Sequence, residues 1–343
     1  MGGDRAPEIV VKGVALARIR YPNVHFQLHG DEAKLKPLLA QEKSLGDCCS
    51  IRHTDQAITN DAKPSQALRQ GRNSSMWKAI DAVKSGEAAG VVSAGNTGAL
   101  MAMAKLILRP MPGIDRPAIC ALFPTRVGET AMLDLGANAQ CDARNLVEFA
   151  IMGECFSRAL LGIERPTVGL LNIGSEDLKG TDMLREVSQT LRGAHLDMEF
   201  KGFVEGDDIA AGTVDVVVTD GFTGNVALKT AEGTAKLVFE FLRIAIKSSW
   251  IAKFGMLFAK PVILQVVARV DPRRYNGALF LGLNGIVVKS HGGTDAVGFA
   301  NAIGNAVDMV SRDLNRHIAE DIERMRAEQA SARPQEDTGT VAQ

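Results

Sequence analysis

Short apolar runs alternate along this chain with longer stretches whose apolar residues recur every three to four positions. The segment from Asp215 to Glu232 shows the pattern most sharply. Val216, Val217 and Val218 form a β-branched run without a polar face, as expected of a strand covered on both sides. Asp220-Gly221-Phe222-Thr223-Gly224-Asn225 follows, too small and turn-prone for strand or helix. From about Val226 the spacing is helical. The same order recurs at Val91–Gly98, at Met132–Asn138 and at Val168–Gly174, each an apolar run ending in glycine and asparagine. Open α/β sheets bind ligands at such corners, past the carboxyl ends of strands. Free N–H groups at a following helix start attract anions. If the four corners share one rim of one sheet, they form one amide-rich pocket lined by Lys179 and Lys229. Taken singly, each is also what an ordinary βα turn looks like.

Further helices are expected over Val10–Ile19, Leu35–Leu39, Ser75–Lys84, Asn145–Leu161 and Thr181–Leu191, and one long helix from Asp295 to about Ala327. Strands are expected over His25–Gly30 and Met198–Val204, with a hairpin or two strand pieces between Leu279 and Val288. This alternation predicts a three-layer α/β/α fold with a mostly parallel sheet, in one domain spanning residues 1–327. Residues 328–343 hold little to bury and read as a disordered tail.

The stretch Arg243–Arg274 departs from this pattern. It carries seven Lys or Arg against a single acid, Asp271. Trp250, Ile251, Phe254, Leu257 and Phe258 share one helical face, and Pro261 is expected to end the helix. A basic amphipathic segment over 243–268 suits an anionic membrane surface. It equally suits a contact with the body or a second subunit.

Composition narrows the function. With 343 residues, 46% hydrophobic and 23% charged, the chain is that of a globular protein with a sizeable core. A net charge of -1 and 5% aromatics argue against nucleic-acid binding. The five cysteines contain no Cys-x-x-Cys and are odd in number, so reduced thiols in a cytoplasmic setting are expected, without metal or disulfide. No secretory signal pattern opens the chain, and no uncharged run reaches the ~18 residues of a membrane span.

Several chemistries fail on spacing. No two glycines are separated by a single residue, so the dinucleotide signature Gly-x-Gly-x-x-Gly is absent. Lys179-Gly180 has the wrong order for a P-loop, and no Gly-x-Ser-x-Gly elbow exists. His291/Asp295 and His317/Asp321 are one residue too close for the His/Asp motif of glycerol-phosphate acyltransferases. No His/Cys/carboxylate group has metal-ligand spacing. What remains is an amide-rich, lysine-bearing pocket suited to phosphate chemistry by positioning and charge stabilisation, without a cofactor.

Ten blocks in order then resemble one family. They are Met1-Gly2-Gly3-Asp4-x-Ala6-Pro7; Lys63-Pro64-Ser65-x-Ala67-Leu68-Arg69; Ser93-Ala94-Gly95-Asn96-Thr97-Gly98-Ala99-Leu100; Gly113-Ile114-Asp115-Arg116-Pro117; and Leu133-Asp134-x-Gly136-Ala137-Asn138. They continue with Leu171-Asn172-Ile173-Gly174-x-Glu176 plus Lys179-Gly180; Glu205-Gly206; Asp220-Gly221-Phe222-Thr223-Gly224-Asn225; Leu281-Gly282-Leu283-x-Gly285; and Lys289-Ser290-His291-Gly292. The chain resembles the fatty acyl-ACP:phosphate acyltransferases, the PlsX family, over residues 1 to about 310. The resemblance implies a homodimeric α/β/α enzyme with a fold like the isocitrate and isopropylmalate dehydrogenases and the phosphotransacetylases. The implied reaction takes acyl-ACP and inorganic phosphate to acyl phosphate and free acyl carrier protein, in phospholipid synthesis. It also implies peripheral membrane contact.

Lys179 and Asn225 align with the family's proposed catalytic pair. Ser93, Gly95, Asn96, Thr97, Gly98, Asn138, Asn172, Gly174, Gly221, Gly224, Lys229 and His291 are the expected phosphate- or substrate-binding residues. Family members usually carry a short strand ahead of Met-Gly-Gly-Asp, so the sheet of a chain starting at Met1 is expected to lack it. Thr181 and Gly206-Asp207-Asp208 also depart from the commoner family residues. Two other readings stay open: a phosphotransacetylase-like enzyme acting on acyl-CoA, and a non-catalytic membrane or carrier-protein scaffold.

Overall fold

A computed structural model describes residues 1–332. The first part of the chain gives α1 (Glu8–Arg20), β1 (Phe26–Gly30), α2 (Glu32–Gln41), β2 (Cys49–His53), α3 (Pro64–Gln70), α4 (Ser75–Lys84), β3 (Gly90–Ser93) and α5 (Thr97–Leu108). The middle gives β4 (Ala118–Pro124), β5 (Glu129–Leu133), α6 (Ala143–Leu161), β6 (Thr167–Leu171), α7 (Asp182–Gly193), β7 (Glu199–Val204), α8 (Gly206–Ala211) and β8 (Val216–Val218). The last part gives α9 (Gly221–Ser248), α10 (Trp250–Arg269), β9 (Ala278–Leu281), β10 (Ile286–Lys289), α11 (Ala296–Ser311) and α12 (Leu314–Ala332).

Eight strands form one sheet in the order β3-β10-β9-β4-β5-β8-β6-β7. It is parallel on both flanks and antiparallel through the centre, where β9 pairs against β10 and β4, and β4 against β5. The valine run of β8 lies in the interior of this sheet. Val216 and Val218 point into one apolar cluster with α6 and α7, and Val217 into another with α5. All three are fully buried. A strand covered on both faces can afford no polar side, which is why its sequence does not alternate. The two clusters are the two interlayers of an α/β/α fold.

The central antiparallel pairings have a consequence for function. Because β9 reverses the direction of β10 and β4, and β5 reverses that of β4, strands β5, β8, β6 and β7 run opposite to β3 and β10. The chain therefore leaves β3 and β10 at one end of the sheet and leaves β5, β8 and β6 at the other. β1 and β2 form a separate parallel pair. A cleft of about 430 Å³ lies between β1 and β3, bridged where Gln27 Nε2 donates to the Glu87 carbonyl at 3.1 Å.

Three elements differ from expectation. α10 continues through Pro261 to Arg269. The proline removes one N–H, but the carbonyl it orphans belongs to Leu257, which is exposed rather than buried in the core. The expected helix from Asp295 is two helices, broken at Arg312–Asp313, where Asp313 takes φ +49°. α12 then extends to Ala332, so residues 328–332 are helix rather than tail; residues 333–343 lie outside the described part.

α12 is tied to α6 by charge. Arg158 Nε meets Glu154 Oε1 at 2.8 Å and Arg158 Nη2 meets Asp321 Oδ2 at 3.0 Å, while Arg324 Nη2 meets Asp321 Oδ1 at 2.9 Å. Glu154 is buried, and desolvation outweighs Arg158 enough to raise its carboxyl from 4.5 to about 7. A raised folded-state value means the folded protein holds this proton longer than the unfolded chain does. The stabilisation is complete below pH 4.5 and is lost as pH rises through about 7. We predict that wild type loses stability relative to Glu154→Gln across that window, by at most about 3 kcal/mol. Thermal melts of both proteins from pH 4.5 to 8 measure this; a constant difference would mean Glu154 ionises normally.

Candidate active site

Asp134 organises the corner after β5. Its Oδ1 accepts from the N–H groups of Ile119 at 2.9 Å, Ala137 at 3.1 Å and Gly136 at 3.2 Å. Its Oδ2 accepts from the Asn138 N–H at 2.7 Å and Asn138 Nδ2 at 3.0 Å. Burial raises the carboxyl's pKa even though these bonds pull it back down. The carboxylate thus folds the segment 134–138 around itself, and α9 docks on that segment. A Cβ at Gly224 would stand 1.9 Å from the Asp134 carbonyl oxygen, and one at Gly221 would stand 2.5 Å from the Asn138 carbonyl oxygen. Only glycine permits this approach. Gly221 N–H also donates to that Asn138 carbonyl at 2.8 Å.

The start of α9 is not the open anion nest its glycines suggested. Asp220 caps it: Oδ1 accepts from the Thr223 N–H at 2.9 Å and Oδ2 from the Thr223 hydroxyl at 2.7 Å. A carboxylate already occupies the positive end of the helix. An anion bound here must be held by side chains. Asn225 is not the cap; it lies on the exposed surface of α9, its side chain over Gly136. Among the described hydrogen bonds none engages its amide.

β6 neighbours β8, and both deliver their corners to the same end of the sheet. Asn172 pins the loop after β6: its Nδ2 donates to the Lys179 carbonyl at 3.2 Å and its Oδ1 accepts from the Ile173 N–H at 2.9 Å. A Cβ at Gly174 would stand 3.1 Å from Lys179 Cγ, so the lysine stem rests on that glycine. Among the described residues no carboxylate pairs with the Lys179 ammonium. Lys229, one turn beyond Asn225, is instead paired with Glu232 at 3.0 Å.

The expected convergence of all four corners does not occur. Ser93, Gly95, Asn96, Thr97, Gly98 and His291 gather at the opposite sheet end, because β3 and β10 run the other way. There Asn96 caps α5 through the Ala99 N–H at 2.8 Å, and its Nδ2 donates to the carbonyls of Asn60 at 2.7 Å and Ala62 at 3.0 Å. Ser93 Oγ accepts from Gly95 N–H at 3.2 Å and His291 Nδ1 from Gly293 N–H at 3.1 Å. Gly98 packs against Pro64, and Gly2 and Gly3 against Gly95 and Ala94. These side chains hold the amino-terminal loop in place. Asn138 is likewise committed, donating to the Pro117 carbonyl at 2.8 Å. Of the predicted residues, Lys179 and Asn225 are the ones that share an end of the sheet with side chains left free.

Cys141 is the thiol nearest this corner, 3.8 Å from the Asn138 carbonyl. Burial raises its pKa to about 11. It is therefore a thiol rather than a thiolate at neutral pH, which disfavours an acyl-cysteine intermediate.

Residues 1–317 match the family model described as "Fatty acid synthesis protein". A phosphate acyltransferase of Rhodospirillum rubrum is 62% identical over 94% of this chain and 92% of that one. One of Paramagnetospirillum magneticum is 59% identical, over 96% and 94%. The chain belongs to the phosphate acyltransferase (PlsX) family. Members of the family are acyltransferases. The phosphotransacetylase of Streptococcus pyogenes has a TM-score of 0.60 at 18% identity, covering 88% of this chain and 91% of that one. The EutD phosphotransacetylase of Staphylococcus aureus has a TM-score of 0.53 at 14% identity, over 89% and 100%. The fold is therefore phosphotransacetylase-like.

Two positioning residues escaped the sequence reading. Asp220 carried a usable signal, an acid three residues before Thr223 at a helix start. Asp134 carried none beyond its place in a family block, since only the folded chain shows five donors around one carboxylate. We predict that Gly224→Ala lowers the melting temperature and abolishes activity, because the helix cannot close on Asp134. Asp134→Ala, which strands those donors, should cost about 2–4 kcal/mol. Chemical denaturation measures both, and wild-type stability in either variant would overturn this account of the corner.

Proposed function

We propose that the protein transfers the acyl group of an acyl carrier protein thioester to inorganic phosphate, giving acyl phosphate and the free carrier, a step of phospholipid synthesis. The Lys179 ammonium holds the phosphate dianion beside the thioester and offsets the charge of the approaching oxygen. A phosphate oxygen attacks the carbonyl carbon, and the carbonyl oxygen becomes an oxyanion that accepts from Asn225 Nδ2. The C–S bond then breaks, and the phosphate's proton leaves with the carrier thiol. No protein nucleophile is used, in keeping with the protonated Cys141. The observation that supports this reading is the pair of unengaged side chains, one ammonium and one amide, at the same end of adjacent strands in a chain of this family.

Loss of one oxyanion donor costs roughly 10²–10³ in turnover. Lys179→Ala and Asn225→Ala are expected to fall by that much while melting like wild type. The assay follows acyl phosphate formed from palmitoyl carrier protein and phosphate, with palmitoyl-CoA run in parallel. Near-normal turnover of either variant removes that residue from the mechanism, and preference for the CoA ester changes the donor.

A homodimer and a peripheral membrane contact belong to the same proposal. α9 buries only Gly221 and Gly224, and α10 buries nothing. Together they form an apolar helical hairpin with Trp250, Ile251, Phe254 and Phe258 exposed near its turn. α10 is also long and apolar enough, by length and composition, to cross a bilayer. The turn end, with Lys253 4.7 Å over the Trp250 ring, suits the headgroup boundary. Phe254→Glu with Phe258→Glu should abolish flotation with anionic liposomes and leave turnover on soluble substrate within about twofold. A shift from dimer to monomer in sedimentation velocity, with flotation kept, would assign this surface to the second copy instead.

A further inference from the structure

A second cavity lies at the other ends of β5 and β8. It has a volume of about 590 Å³ and is lined by the turn Thr125–Thr130, Val214 and Asp215 just before β8, the end of α6, Arg269 at the end of α10, and Arg274 and Tyr275 after it. The candidate active site lies past the carboxyl ends of these strands. From Glu129 to Asp134 the extended chain covers about 17 Å, so the two sites are separate.

Three guanidiniums, those of Arg126, Arg269 and Arg274, border this cavity. None has a carboxylate within ion-pair distance among the described residues. The Arg274 Nη1 donates only to the Ala268 carbonyl at 3.3 Å. Two acids also line the space. Asp215 is committed, its Oδ2 accepting from the Thr167 N–H at 2.8 Å and hydroxyl at 2.6 Å. Glu129, the other lining acid, has no side-chain partner among the described hydrogen bonds, and Asp271, within Coulombic reach of Arg274, is engaged by Arg273. The geometry is held rigidly: Thr125 Oγ1 accepts from the N–H groups of Gly128 at 3.0 Å and Val127 at 3.3 Å, and Tyr275 Oη donates to the Arg269 carbonyl at 2.6 Å. Leu161, Ile163, Val127 and Val214 supply an apolar wall.

We propose that this cavity binds an organic phosphomonoester, its phosphate among Arg126, Arg269 and Arg274 and its carbon portion against Leu161 and Ile163. Arginine forks match phosphate oxygens in pairs, and unpaired guanidiniums leave their donors available for them. The volume exceeds that of phosphate alone, and polar groups beside an apolar wall are the usual makeup of a small-molecule site. The phosphomonoester comes either free in solution or as a lipid headgroup, since the cavity sits where α10 rejoins the body.

The test uses the full chain with two probes, n-hexyl phosphate in solution and phosphatidate vesicles, the latter read against phosphatidylglycerol vesicles of equal charge because the α10 surface is proposed to bind any anionic vesicle. The comparison is between wild type, Arg126→Gln with Arg269→Gln, and Lys179→Ala. The double variant should bind the effective probe at least about tenfold more weakly, at unchanged melting temperature and turnover. Lys179→Ala should bind it as wild type does. Loss confined to hexyl phosphate identifies a soluble ligand, and loss confined to phosphatidate vesicles identifies a lipid headgroup. Binding lost in Lys179→Ala but kept in the arginine variant would place the probe in the active site and overturn the proposal. So would binding of neither probe, or equal binding by wild type and the arginine variant.

Discussion

A single buried carboxylate, that of Asp134, shapes the end of this protein that carries the candidate site. Five donors close on it and convert the five residues after β5 into a fixed shelf. α9 lies on that shelf only because Gly221 and Gly224 have no side chain to hold it off. Asn225 gains its position from this docking. The carboxylate is costly to bury, and its ring of hydrogen bonds offsets that cost. The Asn225 side of the site is therefore built on packed backbone, while Lys179 stands on the loop after β6 that Asn172 pins.

The reaction proposed for this shelf is acyl transfer without a covalent intermediate. The nearby thiol is held protonated, and the helix start that would have drawn an anion is already capped by Asp220. In the proposed reaction, charge stabilisation falls to Lys179 and Asn225. Among the described residues, neither side chain has a hydrogen-bond or ion-pair partner. Asn172, Asn138 and Asn96 look equivalent in sequence, yet each spends its amide on holding a turn.

Directionality of the sheet explains why the glycine- and asparagine-rich corners divide into two groups. The antiparallel strands at the centre reverse the flank made of β5, β8, β6 and β7 relative to β3 and β10. One group of corners then anchors the amino-terminal loop, and the other frames the proposed reaction. A separate basic cavity lies at the amino ends of β5 and β8.

The sequence alone determined the α/β class, most element positions and the family, because apolar periodicity and ten ordered motifs are local properties. The valine run of β8 was legible since a strand buried on both faces must be apolar throughout. Lys179 and Asn225 stood out as candidates through the family blocks. Tertiary structure decided the rest. Which strand end each corner occupies depends on pairing directions set by residues far apart in the chain. Whether an asparagine is free or committed depends on the carbonyls it meets after folding. Asp134 reads as an ordinary turn acid until the chain closes around it, because burial and its hydrogen-bond partners exist only in three dimensions.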